Sequence, residues 1–379
     1  MHVALYAPMK PPDDPRPSGD RQAVRMILAA LARAGHSTEV ASRLVSWLPA
    51  PDPAADAGLR TEATAEVETL VERWRTGGAD RPDLFLTYHL YHRAPDRIGP
   101  AVAARLGIPF VVIEASRALK RAVGPWAERF REVDAALAAA DAVAAIHAED
   151  AEGLAAMVDA PRLHRLAPFL DAAPFRKAAA GRVSPSGPMQ LLAVGMMRPG
   201  DKARSYAVLA EALARLGDRP WHLSIVGDGP ARPEVEAAFA TRGLAGDRIT
   251  FRGARASEAM PAVYADADVL VWPAINEAYG FVFLEAQAAG LPVVGARRGG
   301  VPEIVRDGET GLLAPEGDAA AFAECIATLL SDPSARARMG AAAADHIATR
   351  HDLPVAARSL DAILAAAVVS RNERSRCGR

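Results

Sequence analysis

At 379 residues, half of them hydrophobic, the chain is long enough for about two domains of roughly 150 residues each. A net charge of -2 excludes a broad basic face for nucleic acid, and two cysteines, Cys325 and Cys377, exclude a disulfide framework or a cysteine metal cluster. The opening Met1-His2-Val3-Ala4-Leu5-Tyr6 lacks the charge and length of a signal peptide, and no apolar run approaches the ~20 residues of a membrane helix, so a cytosolic chain is expected.

Val3 to Tyr6 reads as the first strand, followed by a Pro- and Asp-rich loop ending Ser18-Gly19-Asp20-Arg21. Gln22 to Ala34 is helical by period, with Val24, Ile27, Leu28 and Leu31 on one face, and Gly35 stops it. Ser37 to Ala41 is the next strand, which completes a beta-alpha-beta unit of a parallel sheet. A Gly-x-Gly-x-x-Gly dinucleotide fingerprint is missing. Pro49 to Gly58 reads as a loop and Glu62 to Trp74 as a helix closed by Gly77-Gly78.

Asp83 to His89 is a strand running into Tyr88-His89-Leu90-Tyr91-His92. Isolated histidines are usually structural, but two histidines and two tyrosines at a strand's carboxyl end suit a pocket wall. Ile108 to Ile113 is a further strand, ending at Glu114-Ala115-Ser116-Arg117. Arg117, Lys120 and Arg121 form a basic cluster that fits either a solvated face or a phosphate site. Phe130 to Ala140 is expected as a helix and Ala142 to Ile146 as a strand.

Arg176 to Pro188 reads as a linker, and Met189 to Val194 opens a second domain. Gly195-Met196-Met197-Arg198-Pro199-Gly200-Asp201-Lys202 follows, its two cations suited to a diphosphate or to plain solvation. A helix is expected over Ser205 to Leu216 and strands over Trp221 to Val226 and Ile249 to Arg252, the last ending at Gly253-Ala254-Arg255. Asp266 and Asp268 read as strand-entry residues rather than metal ligands. Val269 to Trp272 is a buried strand, Phe281 to Ala289 a helix, Gly290 its stop and Val293-Val294 the next strand.

This order places a helix N-terminus near Gly280 just beyond a strand, where backbone N–H groups favour an anion. Glu277 and Glu285 flank it and could accept hydrogen bonds from vicinal hydroxyls. Taken singly, each glutamate also fits an ordinary place, Glu285 on an exposed helix face and Glu277 at a helix dipole. Helices are expected over Ala319 to Leu330, which would place Cys325 in the core, and over Pro333 to Arg350 and Leu353 to Val369. Arg371 to Arg379 is expected to be a disordered charged tail.

Glu277, Gly280, Glu285, Ala286, Gly290, Pro292, Gly300, Glu303 and Gly311 together resemble the Glu-x7-Glu motif of retaining GT-B glycosyltransferases, family 4 above all. The resemblance covers the second half of the chain well and the first half loosely. It implies an α/β GT-B fold: two Rossmann-like domains with parallel sheets facing across a cleft. Residues 1–170, with a returning helix at about 353–369, would form the acceptor-side domain, and 171–352 the donor domain.

By the same resemblance Glu277 contacts the donor sugar, Glu285 the ribose, and the amides of Gly280, Phe281 and Val282 the diphosphate. Lys202 fits the family lysine. Met196 stands where relatives carry arginine, with Arg198 as its replacement. Gly253, Ala254 and Arg255 would face the nucleobase, and Gly19 the donor phosphates. Relatives place a histidine near Glu114; its absence leaves Glu114, His89 and His92 as acceptor-side candidates.

The implied reaction is metal-independent, retaining transfer of a hexose from a nucleotide-diphosphate sugar to an acceptor hydroxyl. The acceptor is a carbohydrate, a lipid-linked molecule or a small molecule. No cofactor and no nucleic acid are expected. The expected location is the cytoplasm, with peripheral contact at the inner membrane face compatible with it. Two other readings stand beside this one: a GT-B nucleotide-sugar epimerase and a non-catalytic nucleotide-sugar-binding scaffold.

Overall fold

The structure, a computed structural model, describes all residues except 17, 77–80, 182–186, 245, 278–279 and 378–379. The expected Gly77-Gly78 helix stop therefore lies outside the described residues. The chain divides into two units, one of residues 1–167 and 353–379 and one of residues 168–352.

In the first unit the described residues form a parallel sheet of six strands: β1 (His2–Tyr6), β2 (Ser37–Ser42), β3 (Leu84–Leu90), β4 (Phe110–Ala115), β5 (Ala142–Ala145) and β6 (Leu163–Arg165). Their order is β2-β1-β3-β4-β5-β6. Helices α1 (Gly19–Arg33), α2 (Pro53–Thr76), α3 (Gly99–Leu106), α4 (Ala127–Ala139) and α5 (Ala148–Ala155) connect them. β1 and β3 to β5 are nearly continuous apolar runs, as a parallel sheet covered on both faces requires, and Val3, Leu5, Phe85, Leu86, Val111 and Val112 are solvent-free.

The second unit repeats the plan. Its strands are β7 (Met189–Val194), β8 (Trp221–Val226), β9 (Ile249–Phe251), β10 (Val269–Val271), β11 (Val293–Ala296) and β12 (Gly311–Ala314). They lie in the order β12-β11-β10-β7-β8-β9, all parallel where paired. Its helices are α6 (Ala173–Ala179), α7 (Asp201–Ala214), α8 (Arg232–Ala240), α9 (Met260–Ala265), α10 (Phe281–Ala288), α11 (Val301–Ile304), α12 (Ala319–Ser331) and α13 (Pro333–His346). Chain direction across the sheet reverses between β7 and β10, as it does between β1 and β3 in the first unit. Ligands of open α/β sheets collect at such reversals, outside the carboxyl ends of the strands.

Several expectations are corrected. The Pro- and Ala-rich segment expected as a loop over Pro49 to Gly58 enters α2 at Pro53, a residue tolerated in a first helical turn. The expected linker begins as α6, where Phe175 packs on Tyr264 with ring centroids 5.7 Å apart. Helix α7 starts at Asp201 rather than Ser205, which puts Lys202 in its first turn. Cys325 is half-buried in α12 rather than in the core.

The largest correction is at the C-terminus. Helix α14 runs from Leu353 to Cys377, through most of the segment expected to be disordered. By length and composition it is apolar enough to cross a membrane, although no unbroken apolar run marks it in the sequence. Here it packs on α1, β4 and β5, burying Leu360, Ile363, Leu364 and Ala367. Its far end is held by charge: Arg374 donates to Asp141 Oδ1 and to the Ala139 carbonyl, while Asp141 Oδ2 accepts from the Phe110 amide at 2.9 Å. The side chain of Asp141 has no solvent exposure, so Arg374 is its counter-ion.

Arg374→Ala is expected to destabilise the protein by about 1–3 kcal/mol, because a buried carboxylate loses its charged donor. Deletion of residues 370–379 should cost as much. A urea midpoint equal to that of the parent chain in both variants would show that the end of α14 carries no stability.

Candidate active site

At the sheet reversal of the second unit, two connections leave neighbouring strands. One runs from β7 through Gly195 and Arg198 into α7. The other runs from β10 through Trp272 and Glu277 into α10. Three polar contacts stitch the second onto the first turns of α7. The Ile275 amide donates to Ser205 Oγ at 3.0 Å, Asn276 Nδ2 to Asp201 Oδ2 at 3.0 Å, and Lys202 Nζ to Glu277 Oε2 at 2.5 Å. Glu316 Oε1 also accepts from the Asn276 amide at 2.8 Å.

The backbone of this connection is strained. Ala274 and Asn276 adopt φ of +52° and +51°, a region non-glycine residues rarely occupy. Asparagine tolerates it; alanine has no such excuse, and its side chain is solvent-free. Room for the connection comes from Gly299, where a Cβ would stand 2.4 Å from the Glu277 carbonyl oxygen.

Trp272 forms the floor. It is 1% exposed, its Nε1 lies 3.5 Å from Glu277 Oε2, and the Lys202 ammonium sits 5.4 Å from its ring centroid. Tyr206, one turn after Lys202, meets the indole edge-on at 4.9 Å and donates to the Gly195 carbonyl at 2.6 Å.

Helix α10 begins at Gly280, whose φ of +70° and ψ of +40° turn the chain sharply into the helix. The amides of Phe283 and Leu284 reach back to the Gly280 carbonyl at 2.9 and 3.4 Å. Phe281 and Val282 open the first turn of the helix. One turn further, Glu285 is 8% exposed and its Oε2 accepts from Tyr264 Oη at 2.7 Å. It is thus no exposed helix glutamate; burial without a donor would be costly.

The structure thus brings Lys202 and Glu277 into contact and sets Glu285 on the helix that follows. Arg198 lies exposed in the loop before α7. Gly253, Ala254 and Arg255 follow β9, two strands from β7 at the sheet edge, where the Gly253 carbonyl accepts from Gly227 N at 2.9 Å. Asp201, Ser205, Tyr264, Trp272 and Gly299 were not singled out from sequence. Only Asp201 carried a signal there, standing beside Lys202.

The first unit has its own group at the reversal between β1 and β3. His89 Nδ1 lies 3.0 Å from Asp20 Oδ1 in the first turn of α1 and 3.9 Å from Glu114 Oε1 at the end of β4. His89 and Glu114 both hold left-handed backbones, with φ of +64° and +59°. Burial opposes the imidazolium, but the Glu114 and Asp20 carboxylates outweigh it and push His89 up to about 9. Asp150 is shifted upward by burial and by Glu114. Gly19 opens α1 beside Asp20, behind the Ser18 cap that accepts from the Arg21 amide at 3.2 Å.

His92 does not join this group. It faces Trp126 edge-on at 5.2 Å, on the far side of Tyr91. Asp20 and Asp150 are the carboxylates that sequence reading passed over, because nothing local links them to His89. Arg117 leaves the expected basic cluster: it is paired with Asp134 at 2.7 Å and lies over Phe130 at 5.2 Å. Among the described residues no group of three or more His, Cys, Asp or Glu is arranged to hold a metal. Asp268 Oδ2 accepts from the Gln190 amide at 2.8 Å, a strand-entry role.

The His89 ion pairs set a pH window. Its folded pKa of about 9 exceeds the ordinary 6.5, so their stabilisation is complete below about pH 6.5 and lost as pH rises through about 9. A ring-proton NMR titration should give a midpoint near 9 for His89, falling in Glu114→Gln. A midpoint at or below 6.5 in the parent protein would remove the ion-pair assignment.

Residues 188–332 match the family model described as glycosyl transferases group 1. The chain is 43% identical over 158 residues to the D-inositol 3-phosphate glycosyltransferase of Corynebacterium efficiens, an alignment spanning 40% of this chain and only 37% of that relative. It is 31% identical over 280 residues to the alpha-D-kanosaminyltransferase of Streptomyces kanamyceticus, covering 68% of this chain and 70% of the relative. Its fold is similar to that of Anabaena HepE solved with UDP and glucose, with a TM-score of 0.69 over 96% of this chain and 99% of the other at 17% identity. The architecture is therefore that of the two-domain, Rossmann-like GT-B proteins, and the chain belongs to the glycosyl transferases group 1 family.

Proposed function

We propose that the protein is a retaining glycosyltransferase that moves a hexose from a nucleoside-diphosphate sugar to an acceptor hydroxyl. One observation carries the reading: Lys202 and Glu277 meet beside the start of α10, with Glu285 one turn further on that helix. A cation, helix-start amides and two carboxylates are the groups a phosphorylated polyol needs. The relatives support the same class, since they are named as glycosyltransferases and HepE was solved with UDP and glucose.

In this scheme the donor diphosphate takes Lys202 from Glu277. The ammonium and the amides of Phe281 and Val282 then oppose charge growing on the leaving phosphate, with Arg198 adding a second cation. Electrostatic stabilisation of this kind is commonly the largest catalytic term. Glu277, released, accepts hydrogen bonds from sugar hydroxyls. Glu285 accepts from the ribose diol while Tyr264 fixes its rotamer. Gly253, Ala254 and Arg255 line the base. The acceptor's proton passes to the leaving phosphate oxygen, and the new glycosidic bond forms on the face that the diphosphate leaves. Lys202 and Arg198 supply the positive charge, and the reaction is metal-independent. The acceptor is a carbohydrate, lipid-linked or small molecule handled by the His89, His92 and Glu114 side, and the proposal includes a cytoplasmic location.

Radiolabelled UDP- and GDP-sugars incubated with candidate acceptors test the activity, and proton NMR of the product tests retention. Release of an epimerised nucleotide sugar, or UDP binding without turnover against every acceptor, would replace the reading by an epimerase or a binding scaffold. Lys202→Ala is expected to lower kcat by about 10²–10³. Glu285→Ala should weaken UDP binding about 10-fold or more by loss of charge-assisted hydrogen bonds. Unchanged UDP affinity in Glu285→Ala sinks the ribose assignment.

A further inference from the structure

The rim of the first unit's sheet carries a second cluster, of opposite sign to the His89 group. Its members stand on two connections, the one leaving β3 and the one leaving β4. Arg93 and His92 both face Trp126, the guanidinium carbon 6.0 Å and the imidazole 5.2 Å from the indole centroid. Trp126 ends the short turn Gly124–Trp126, against which the turn Leu119–Arg121 packs. Lys120 and Arg121 thereby join Arg93 and His92. The segment from Ala115 to Ala127 contains three cations and no acid.

Pairing separates these cations from their neighbours. Arg60, Arg97, Arg117 and Arg129 each hold a carboxylate. Among the described residues Arg93, Lys120 and Arg121 hold none. A solvated basic face would keep its nitrogens in water. Instead, Arg121 Nε and His92 Nε2 are both closed off from solvent and lack a hydrogen-bond partner. Buried donors and unbalanced positive charge together favour an anion. Burial first, then Arg121, Arg93, Arg129 and Lys120, hold His92 down to about 4, so at neutral pH its ring is uncharged and adds no charge of its own to the cluster.

We propose that Arg93, Lys120 and Arg121, grouped around His92, form an anion subsite that takes a phosphate group. The inference rests on the first unit serving the acceptor, and it narrows the acceptor class to a phosphate-bearing molecule. That group can belong to a soluble phosphorylated acceptor or to a lipid headgroup. Leu119 and Val123, 63% and 76% exposed, flank the cations and would enter the interface in the second case.

The test uses the full chain saturated with UDP, so that the diphosphate position in the second unit is filled. Inorganic phosphate is titrated calorimetrically into the parent protein, into Lys120→Ala/Arg121→Ala, and into Arg33→Ala/Arg358→Ala, which removes equal charge from exposed positions on α1 and α14. Loss of at least ten-fold in phosphate affinity only in the first variant, with UDP affinity unchanged, supports the subsite. A second arm measures co-sedimentation with phosphatidylglycerol or phosphatidylcholine vesicles. Binding to phosphatidylglycerol alone, lost only in Lys120→Ala/Arg121→Ala, assigns the phosphate to a lipid. Equal behaviour of the two variants in both arms, or no binding in either arm, overturns the proposal. Failure of UDP itself to bind would instead count against the donor reading and leaves the phosphate comparison intact.

Discussion

The second unit depends on the stitching of the β10–α10 connection to the start of α7. Ser205, Asp201 and Lys202 sit in the first two turns of one helix and engage Ile275, Asn276 and Glu277 in register. These contacts, with Glu316 on the Asn276 amide, hold Ala274 and Asn276 in left-handed backbone conformations that each cost on the order of 1–3 kcal/mol. The strain places Glu277 at the entrance of α10 while its backbone lies against Gly299. Trp272 closes the assembly from below, and Tyr206 ties it to the end of β7. The result is a support under two side chains, Lys202 and Glu277, that satisfy each other's charge.

That mutual pairing has an energetic logic. Lys202 and Glu277 are only partly exposed, 29% and 17% at their side chains, so leaving either charge alone would be unfavourable. An anion that takes the lysine must free the carboxylate, and hydroxyl groups are what a freed carboxylate accepts from best. A ligand with phosphate at one end and a polyol beside it replaces both halves of the pair at once. A simple anion replaces only one.

In the first unit, charge is divided along the rim of a single sheet. Around His89 the carboxylates of Glu114 and Asp20 outweigh burial and the imidazole is held charged; around His92 burial first, and then the cations Arg121 and Arg93, hold the imidazole neutral. Two histidines three residues apart thus end in opposite protonation states. With His89 in a left-handed backbone its ring meets Asp20 at the start of α1, whereas the His92 ring packs against Trp126 of a later connection.

The sequence alone marked most of the strands and the motif from Glu277 to Gly290. Apolar runs bounded by Gly and Pro mark the strands, and the spacing from Glu277 through Gly280 to Glu285 and Gly290 is local, so a linear reading finds the α10 turn. Helix ends were less legible: α2 and α7 begin earlier than periodicity suggests, and α6 runs into a segment expected as a linker, since Pro and Ala fit a first turn as well as a loop. The tail after Val369 was misread because its order comes from Arg374 meeting Asp141, a partner 233 residues away. The same limit hid Tyr264 under Glu285, Asp20 beside His89 and Asp134 beside Arg117. Pairings of buried charge are chosen by which strand ends and helix faces become neighbours, and that choice is made by the sheet order rather than by any residue's own neighbourhood in the chain.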